Sequence, residues 1–320
     1  MAKNHTKESY SPGHATVAVD IGGTKIAAGV VESRNPREVY RIPTRPTNAH
    51  EGGEAVFRAV CESIEAVMTH AQEKGWTVVA IGIAAPGVIN PRTGVVEWSF
   101  SHMPGWMGMK LGERLNERFG IPIAVDNDVR IMGLGEALYG NPEGPYEGSS
   151  FFLSMGTGAN GTYVYDGACS NSGSGVRSEF GFAACPDLSG GIGNLYSVGS
   201  GGAIEHHCAE AEGTPVESLK TLMPKIRVGQ APRAAEVFDR SVEYVGIGIG
   251  NVINMHGAER IVLGGGIGTL PETLEPFTRG VRESVIEDFT DIPIYVARLG
   301  TDAPLIGAAY IARLEEAGLR

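Results

Sequence analysis

The sequence predicts an α/β protein of two domains built on mixed sheets. Short apolar runs that suit strands alternate with longer segments whose apolar residues recur every three or four positions. A strand, a glycine-bearing turn and a second strand occur together twice, over 16–31 and 150–165, as an internal duplication produces. The length of 320 residues is about twice the ~150 residues typical of one domain.

The elements follow in order. Residues 1–14 are polar, carry no apolar stretch of the signal-peptide kind, and are expected to form a loose tail. Thr16-Val-Ala-Val-Asp20 reads as a strand, Ile21-Gly-Gly-Thr-Lys25 as its turn and Ile26 to Val31 as the returning strand. Phe57, Val60, Ile64, Val67 and Met68 lie at helical spacing within Glu54 to Lys74, and Gly75 stops that helix. Val78 to Ala84 and Ile121 to Val125 are continuous apolar runs of buried-strand type. Leu111 to Phe119 is a short amphipathic helix, and Asn127 to Leu138 a helix opened by Asx residues. Asn141 to Gly148, rich in Pro, Gly and Glu, reads as a loop.

The pattern then restarts with a strand at Phe151 to Ser154, a turn from Met155 to Gly161 and a strand at Thr162 to Tyr165. Residues 166–202 read as loop. Ala234 to Met255 is a long helix, Arg260 to Leu263 a strand and Gly264 to Gly266 a turn. A helix at Thr273 to Val285, a strand at Ile292 to Ala297 and a helix at Ala303 to Ala317 close the chain. The expected division is a domain over 15–128, a larger one over 129–302, and a closing helix over 303–317 that returns to the first.

Composition excludes several functions. Twenty-six basic against 37 acidic residues, a net charge of −11, discourage a nucleic-acid partner, which needs a basic surface. No apolar stretch reaches the ~20 residues of a membrane span. Four cysteines, Cys61, Cys169, Cys185 and Cys208, form no CxxC pair, as in a reduced cytoplasmic protein. Gly156-x-Gly158-x-x-Gly161 matches a dinucleotide fingerprint in spacing, but Thr162-Tyr-Val-Tyr165 follows it where that motif needs a helix. No Walker A, GxSxG or HExxH motif occurs.

Four segments carry chemistry. In Asp20-Ile-Gly-Gly-Thr-Lys25 a carboxylate at a strand end adjoins a turn whose glycines let backbone amides approach an anion, with Thr24 and Lys25 as further donors. By itself the segment also fits an ordinary hairpin turn. Met155-Gly-Thr-Gly158 repeats it in the second half, and the pairing points to phosphates. Asp126-Asn127-Asp128 follows a buried strand, where a carboxylate can serve as general base for a hydroxyl and an Asx residue can equally cap a helix. Leu263-Gly-Gly-Gly266 ends an apolar strand with bare backbone, suited to a flat base or to a turn.

Taken with Gly82-Ile-Ala-Ala-Pro-Gly87, Ser178-Glu-Phe-Gly181 and Leu305-Ile-Gly-Ala-Ala309, these segments resemble the ROK family in the right order from about residue 15 to 317. Those bacterial sugar kinases have the two-domain actin-like, ribonuclease H-like ATPase fold with a cleft between domains that closes on the sugar. The resemblance implies ATP-dependent phosphorylation of a hexose or hexosamine hydroxyl, glucokinase-like, with Asp128 as general base and Asn127 on the sugar hydroxyls. Gly22, Gly23, Thr24, Lys25, Gly156, Thr157 and Gly158 would hold ATP phosphates, Asp20 would act on Mg²⁺ through water, and Gly264, Gly265 and Gly266 would lie near adenosine. Glu179 would bind the sugar. A homodimer is also implied.

Departures from the family pattern fall on the sugar side. Phe182 stands where the motif Glu-x-Gly-His ends in His, a residue that touches sugar and ligates zinc. The zinc cysteines belong near 184–194, where this chain has only Cys185, with Asn194 at the last position. No structural zinc is therefore expected, although Cys185, His206, His207 and Cys208 remain a conceivable metal set. Tyr196 replaces a sugar-binding Glu, and His102, before Met103-Pro-Gly-Trp106, replaces an Asn or is simply a surface histidine. A cyclitol, a disaccharide or a rarer sugar therefore stand as alternative substrates. A sugar-sensing ROK protein without activity is a further alternative, against which stand Asp128 and the 19 residues before Asp20, too few for a DNA-binding domain. A polyphosphate donor is the alternative to ATP.

Overall fold

The computed structural model describes residues 12–99, 103–169 and 179–320. In chain order the strands are β1 (His14–Ile21), β2 (Lys25–Glu32), β3 (Tyr40–Arg41), β4 (Arg45–Pro46), β5 (Thr77–Ala85), β6 (Val88–Asn90), β7 (Val95–Trp98), β8 (Ile123–Asn127), β9 (Ser149–Met155), β10 (Ala159–Tyr165), β11 (Ala168–Cys169), β12 (Ala184–Pro186), β13 (Ile192–Asn194), β14 (Arg260–Gly264) and β15 (Ile294–Val296). The helices are α1 (Gly53–Glu73), α2 (Leu111–Phe119), α3 (Asp128–Gly135), α4 (Leu195–Gly199), α5 (Gly201–Glu212), α6 (Leu219–Arg227), α7 (Pro232–His256), α8 (Gly265–Gly268), α9 (Pro271–Ser284) and α10 (Ala303–Glu316). They form two compact units. Of the described residues, the first runs to Pro145 and regains 166–169 and 299–320; the second comprises 146–165 and 179–298.

In the first unit the sheet order is β3-β2-β1-β5-β8, with β4 also on β2. β1 and β2 are the predicted hairpin, antiparallel with Ile21 opposite Ile26. β5 lies parallel to β1 and to β8. On one face Val56, Val60, Ile64 and Val67 of α1 join Val17, Val19, Ile81 and Ile83 in a core without solvent exposure. On the other, α10 crosses β1 and β5. A Cβ at Gly82 would overlap the Ala308 carbonyl, and one at Gly307 would overlap the Ile131 carbonyl of α3. α3 thus packs on α10, and the first unit runs past the expected boundary at Asp128 to Pro145.

The second unit repeats the plan. β9 and β10 form the second predicted hairpin, with Met155 opposite Ala159. β14 lies parallel to β9, and β15 parallel to β14. Val242, Val245, Ile249 and Val252 of α7 pack with Phe277 and Val281 of α9 in its core.

Several elements differ from expectation. The stretch read as loop over 166–202 contains the β12–β13 hairpin and α4, too short for periodicity to reveal. Gly264–Gly266 does not make a simple turn, because α8 starts at Gly265. The helix expected over 127–138 changes to a π turn at Glu136–Gly140. Helices α5 and α6 carried no prediction.

Gly82→Ala or Gly307→Ala places a methyl against main chain that has no rotamer to yield. Either should lower stability by about 1–3 kcal/mol or more, read as a lower urea midpoint at unchanged slope.

Candidate active site

Within the first unit, three strand ends bring the predicted polar residues together. Asp20 is the penultimate residue of β1. The turn after it closes with the Gly22 N–H donating to the Lys25 carbonyl at 3.1 Å. Buried Thr47 braces it, its hydroxyl donating to the Gly22 carbonyl at 2.6 Å and its N–H to the Thr24 carbonyl at 3.0 Å. Gly23, Thr24 and Lys25 are exposed. A Cβ at Gly23 would meet nothing within 4 Å, so packing does not require glycine there.

β8 ends in the acidic trio, whose members do different work. Buried Asp126 pairs with buried Arg130 at 3.1 Å and with Arg320 at 3.3 Å. Asn127 is the N-cap of α3, its oxygen accepting from the Arg130 N–H at 3.2 Å. The Asn127 amide donates to the Gly87 carbonyl at 3.0 Å and to Asp128 Oδ1 at 2.8 Å. Both amide hydrogens are committed within the protein. Asp128 Oδ1 also accepts from the Val129 N–H at 2.9 Å. Next to Gly87, the Pro86 carbonyl accepts from the indole N–H of buried Trp106 at 3.1 Å.

Asp20 feels this arrangement. Burial, and then the negative charge of Asp128, push its carboxyl up to about 7 despite the opposing charge of Arg41. A buried carboxylate beside a second negative charge suits a divalent cation, and Mg²⁺ is usually held by one or two carboxylates together with phosphate and water.

Within the second unit, the Gly156 N–H donates to the Gly158 carbonyl at 2.8 Å, closing the β9–β10 turn. The Gly156 carbonyl accepts from the Gly201 N–H at 2.7 Å, which sets the start of α5 beside the turn. Ser200-Gly-Gly202 before a helical segment is the sequence signal for this contact. The three glycines after β14 differ in role. A Cβ at Gly264 would lie 2.6 Å from the Phe152 ring, and one at Gly265 would overlap the Met155 carbonyl, whereas one at exposed Gly266 meets nothing within 4 Å. Gly264 and Gly265 therefore serve packing, and Gly266 alone leaves backbone open to a ligand. The position of a Cβ at Gly156 is 3.6 Å from the Gly266 nitrogen, so turn and open glycine adjoin.

Glu179 is held by Asn160, which lies between the last two glycines of Gly156-x-Gly158-x-x-Gly161 and carries no signal of its own in the sequence. The Asn160 amide donates to Glu179 Oε2 at 3.2 Å, and its oxygen accepts from Gly161 and Gly181 N–H groups at 2.8 and 2.7 Å. Phe182 is 56% exposed and Tyr196 36%. The Tyr196 ring lies 3.4 Å from where a Cβ at Gly158 would stand. Thr157 is exposed at the turn. His102 and Ser178 lie outside the described residues.

Cys185, His206, His207 and Cys208 do not form a metal set. The thiol of Cys185 is pushed up to about 12 by burial and by Asp187, and that of Cys208 to about 11 by burial and neighbouring glutamates. Zinc takes thiolates, which these environments disfavour. Both histidines face Glu210, at 3.4 and 3.3 Å. Among the described residues no three His, Cys, Asp or Glu side chains are grouped to hold a metal, and no helix is long and apolar enough to cross a membrane.

Two sheets of one plan, each opening with a hairpin whose turn offers main-chain amides, define the actin-like ATPase class. The chain belongs to the ROK family, whose sequence profile, described as ROK family, matches residues 16–315. It is similar to the glucokinase of Halalkalibacterium halodurans, with 27% identity over 94% of this chain and 95% of that protein. The ROK hexokinase of Thermus thermophilus superposes with a TM-score of 0.77 at 30% identity, covering 95% of this chain and 99% of that one. A ROK glucokinase from Streptomyces griseus, solved with glucose and AMPPNP, superposes with a TM-score of 0.78 at 25% identity, over 93% and 99%.

The raised Asp20 carboxyl has a signed consequence. Between about 4 and 7 the unfolded chain has lost this proton while the folded protein keeps it, so stability falls as pH rises through that window. Asp20→Asn removes this dependence. Its stability relative to the parent should rise from pH 4 to 7 and level off above, as measured by urea unfolding without magnesium.

Proposed function

We propose that this carbohydrate kinase transfers the γ-phosphoryl group of ATP to a hydroxyl of a hexose or hexosamine, with Asp128 as the general base. The observation that carries this is the fixed carboxylate of Asp128 at the β8–α3 junction, held by the Asn127 amide and the Val129 N–H. The similarity to a glucokinase solved with glucose and AMPPNP supports both substrates.

Asp128 takes the proton of the acceptor hydroxyl as its oxygen bonds to the γ-phosphorus. The bond from that phosphorus to the bridging oxygen breaks, and ADP leaves with the electron pair. Such a transfer needs positioning and charge neutralisation more than covalent chemistry from the protein. The turn at Gly22–Lys25 and the turn at Gly156–Gly158 offer N–H donors to phosphate oxygens, and Gly266 offers open backbone to the adenosine. Asp20 would hold Mg²⁺ through water, and the ion supplies charge neutralisation at the phosphates. Glu179, fixed by Asn160, accepts from sugar hydroxyls. Asn127 aims the base.

One observation favours a second reading of the acceptor. Exposed Phe182 and Tyr196 replace a His and a Glu of the family pattern, so the sugar side offers fewer hydrogen bonds and more aromatic surface. That suits an acceptor with an apolar face or substituent, such as an N-acylated hexosamine or a disaccharide. A coupled ADP-release assay over hexoses, N-acetylhexosamines, disaccharides and cyclitols distinguishes these.

In that assay Asp128→Asn should lower kcat on the accepted sugar by about 10²–10⁴-fold with an unchanged melting temperature. No turnover of any acceptor by the parent protein, with AMPPNP still bound, would remove the kinase assignment in favour of ligand sensing.

The two open glycines give a separate test of the nucleotide site. Gly23→Ala and Gly266→Ala should leave stability unchanged, because a Cβ at either position touches nothing, yet raise KM for ATP by obstructing the ligand's approach. Unchanged ATP kinetics in both variants would exclude these turns from nucleotide binding.

A further inference from the structure

Residues 185–194 form an organised centre that the mechanism above does not use. In this stretch the family pattern places zinc cysteines, and the single buried thiol of Cys185 does not fit a zinc ion. The segment is nevertheless a defined hairpin, with Ala184 opposite Asn194, Cys185 opposite Gly193 and Pro186 opposite Ile192.

The hairpin is closed from inside by one carboxylate oxygen. Asp187 Oδ1 accepts from the Ser189 N–H at 2.9 Å, the Ser189 hydroxyl at 2.6 Å and the Gly191 N–H at 2.8 Å. The Asp187 N–H donates in return to the Gly191 carbonyl at 3.2 Å. Bonds to a charged acceptor are stronger than neutral ones, so these donors fix the loop about a single atom.

The hairpin leads directly to a residue that lies against the Gly156–Gly158 turn. Asn194 ends β13 and caps α4, its oxygen accepting from the Ser197 N–H at 2.8 Å while the Ser197 hydroxyl accepts from the Asn194 N–H at 3.0 Å. The position of a Cβ at Gly193 lies 3.0 Å from Ser197 Oγ and 3.3 Å from the Asp187 Cβ, so loop, strand and cap are in close contact. Tyr196 lies in the first turn of α4, its ring against Gly158.

We propose that Asp187 is a positioning residue that organises this hairpin without a metal and, through β13 and the α4 cap, holds the Tyr196 ring against the Gly156–Gly158 turn. It thereby sets the affinity of that turn for nucleotide. The proposal rests on the assignment of the turn to phosphate binding.

A double-mutant cycle with Asp187→Ala, Tyr196→Ala and the pair tests it, with Asp187→Asn as the conservative variant that keeps an acceptor oxygen. Binding of AMPPNP with Mg²⁺ is measured by calorimetry, amide exchange is followed over 155–161, and metal content is determined on the protein as purified. Asp187→Ala should weaken AMPPNP binding by about tenfold. It should also speed exchange over 155–161. Asp187→Asn should restore most of the affinity. The pair should bind no more weakly than Tyr196→Ala alone, since two residues acting through one contact are not additive.

Additive effects, unchanged exchange over 155–161 in Asp187→Ala, or one zinc per chain in the parent protein would each overturn the proposal. If the parent protein binds no AMPPNP, the nucleotide assignment itself fails. The exchange comparison then still decides whether Asp187 acts on the turn.

Discussion

The closest constraint in the first unit is the absence of a side chain at Gly82, which lets the backbone of α10 rest on β5. Much of the local arrangement depends on that approach. α10 so placed receives α3 at Gly307, and α3 begins with Asp128. The start of α3 is therefore fixed against the sheet by main-chain contact, which cannot relax as a side chain can. The Asn127 cap then has only to aim a carboxylate whose backbone is already in place. The placement of the Asp128 carboxylate originates in two glycines distant from it in the chain.

The two sheets begin alike and diverge in use. Each opens with a hairpin whose strand is followed by parallel neighbours, and each hairpin turn exposes main-chain donors. In the first unit the turn is braced by Thr47 and lies beside a carboxylate that resists ionisation. In the second it is braced by α5 and overlaid by an aromatic ring. The same backbone device thus serves an acidic surrounding in one copy and an apolar, amide-rich one in the other.

The sequence was legible where periodicity or residue type dictates structure locally. Both hairpins, α1, α2, α7 and the buried strands were readable because their apolar runs match the period of the element. The role of Asn127 was half legible: its place before a helix suggested a cap, but only the fold shows its amide reaching Gly87, forty residues back in the chain. The role of Asn160 is not legible in the sequence because its partners, Glu179 and Gly181, are brought to it by a chain path that no local pattern marks. The three glycines after β14 looked alike as letters. Phe152 and Met155, from another strand, make two of them packing residues and leave one open. Asp187 was invisible because Asx turns use residues common in any loop.

The two consecutive carbonyls of Pro86 and Gly87 have one more consequence. One accepts from the Trp106 indole, and the other accepts from the Asn127 amide, which also donates to Asp128. Trp106 is buried, whereas Trp98 is exposed and Trp76 lies beside Tyr40 at the far end of the sheet. Indole emission responds to the hydrogen bond and polarity at its nitrogen. The protein thus carries an intrinsic fluorophore wired to the peptide unit that anchors Asn127, and a rearrangement of that loop is written into its emission spectrum without any added label.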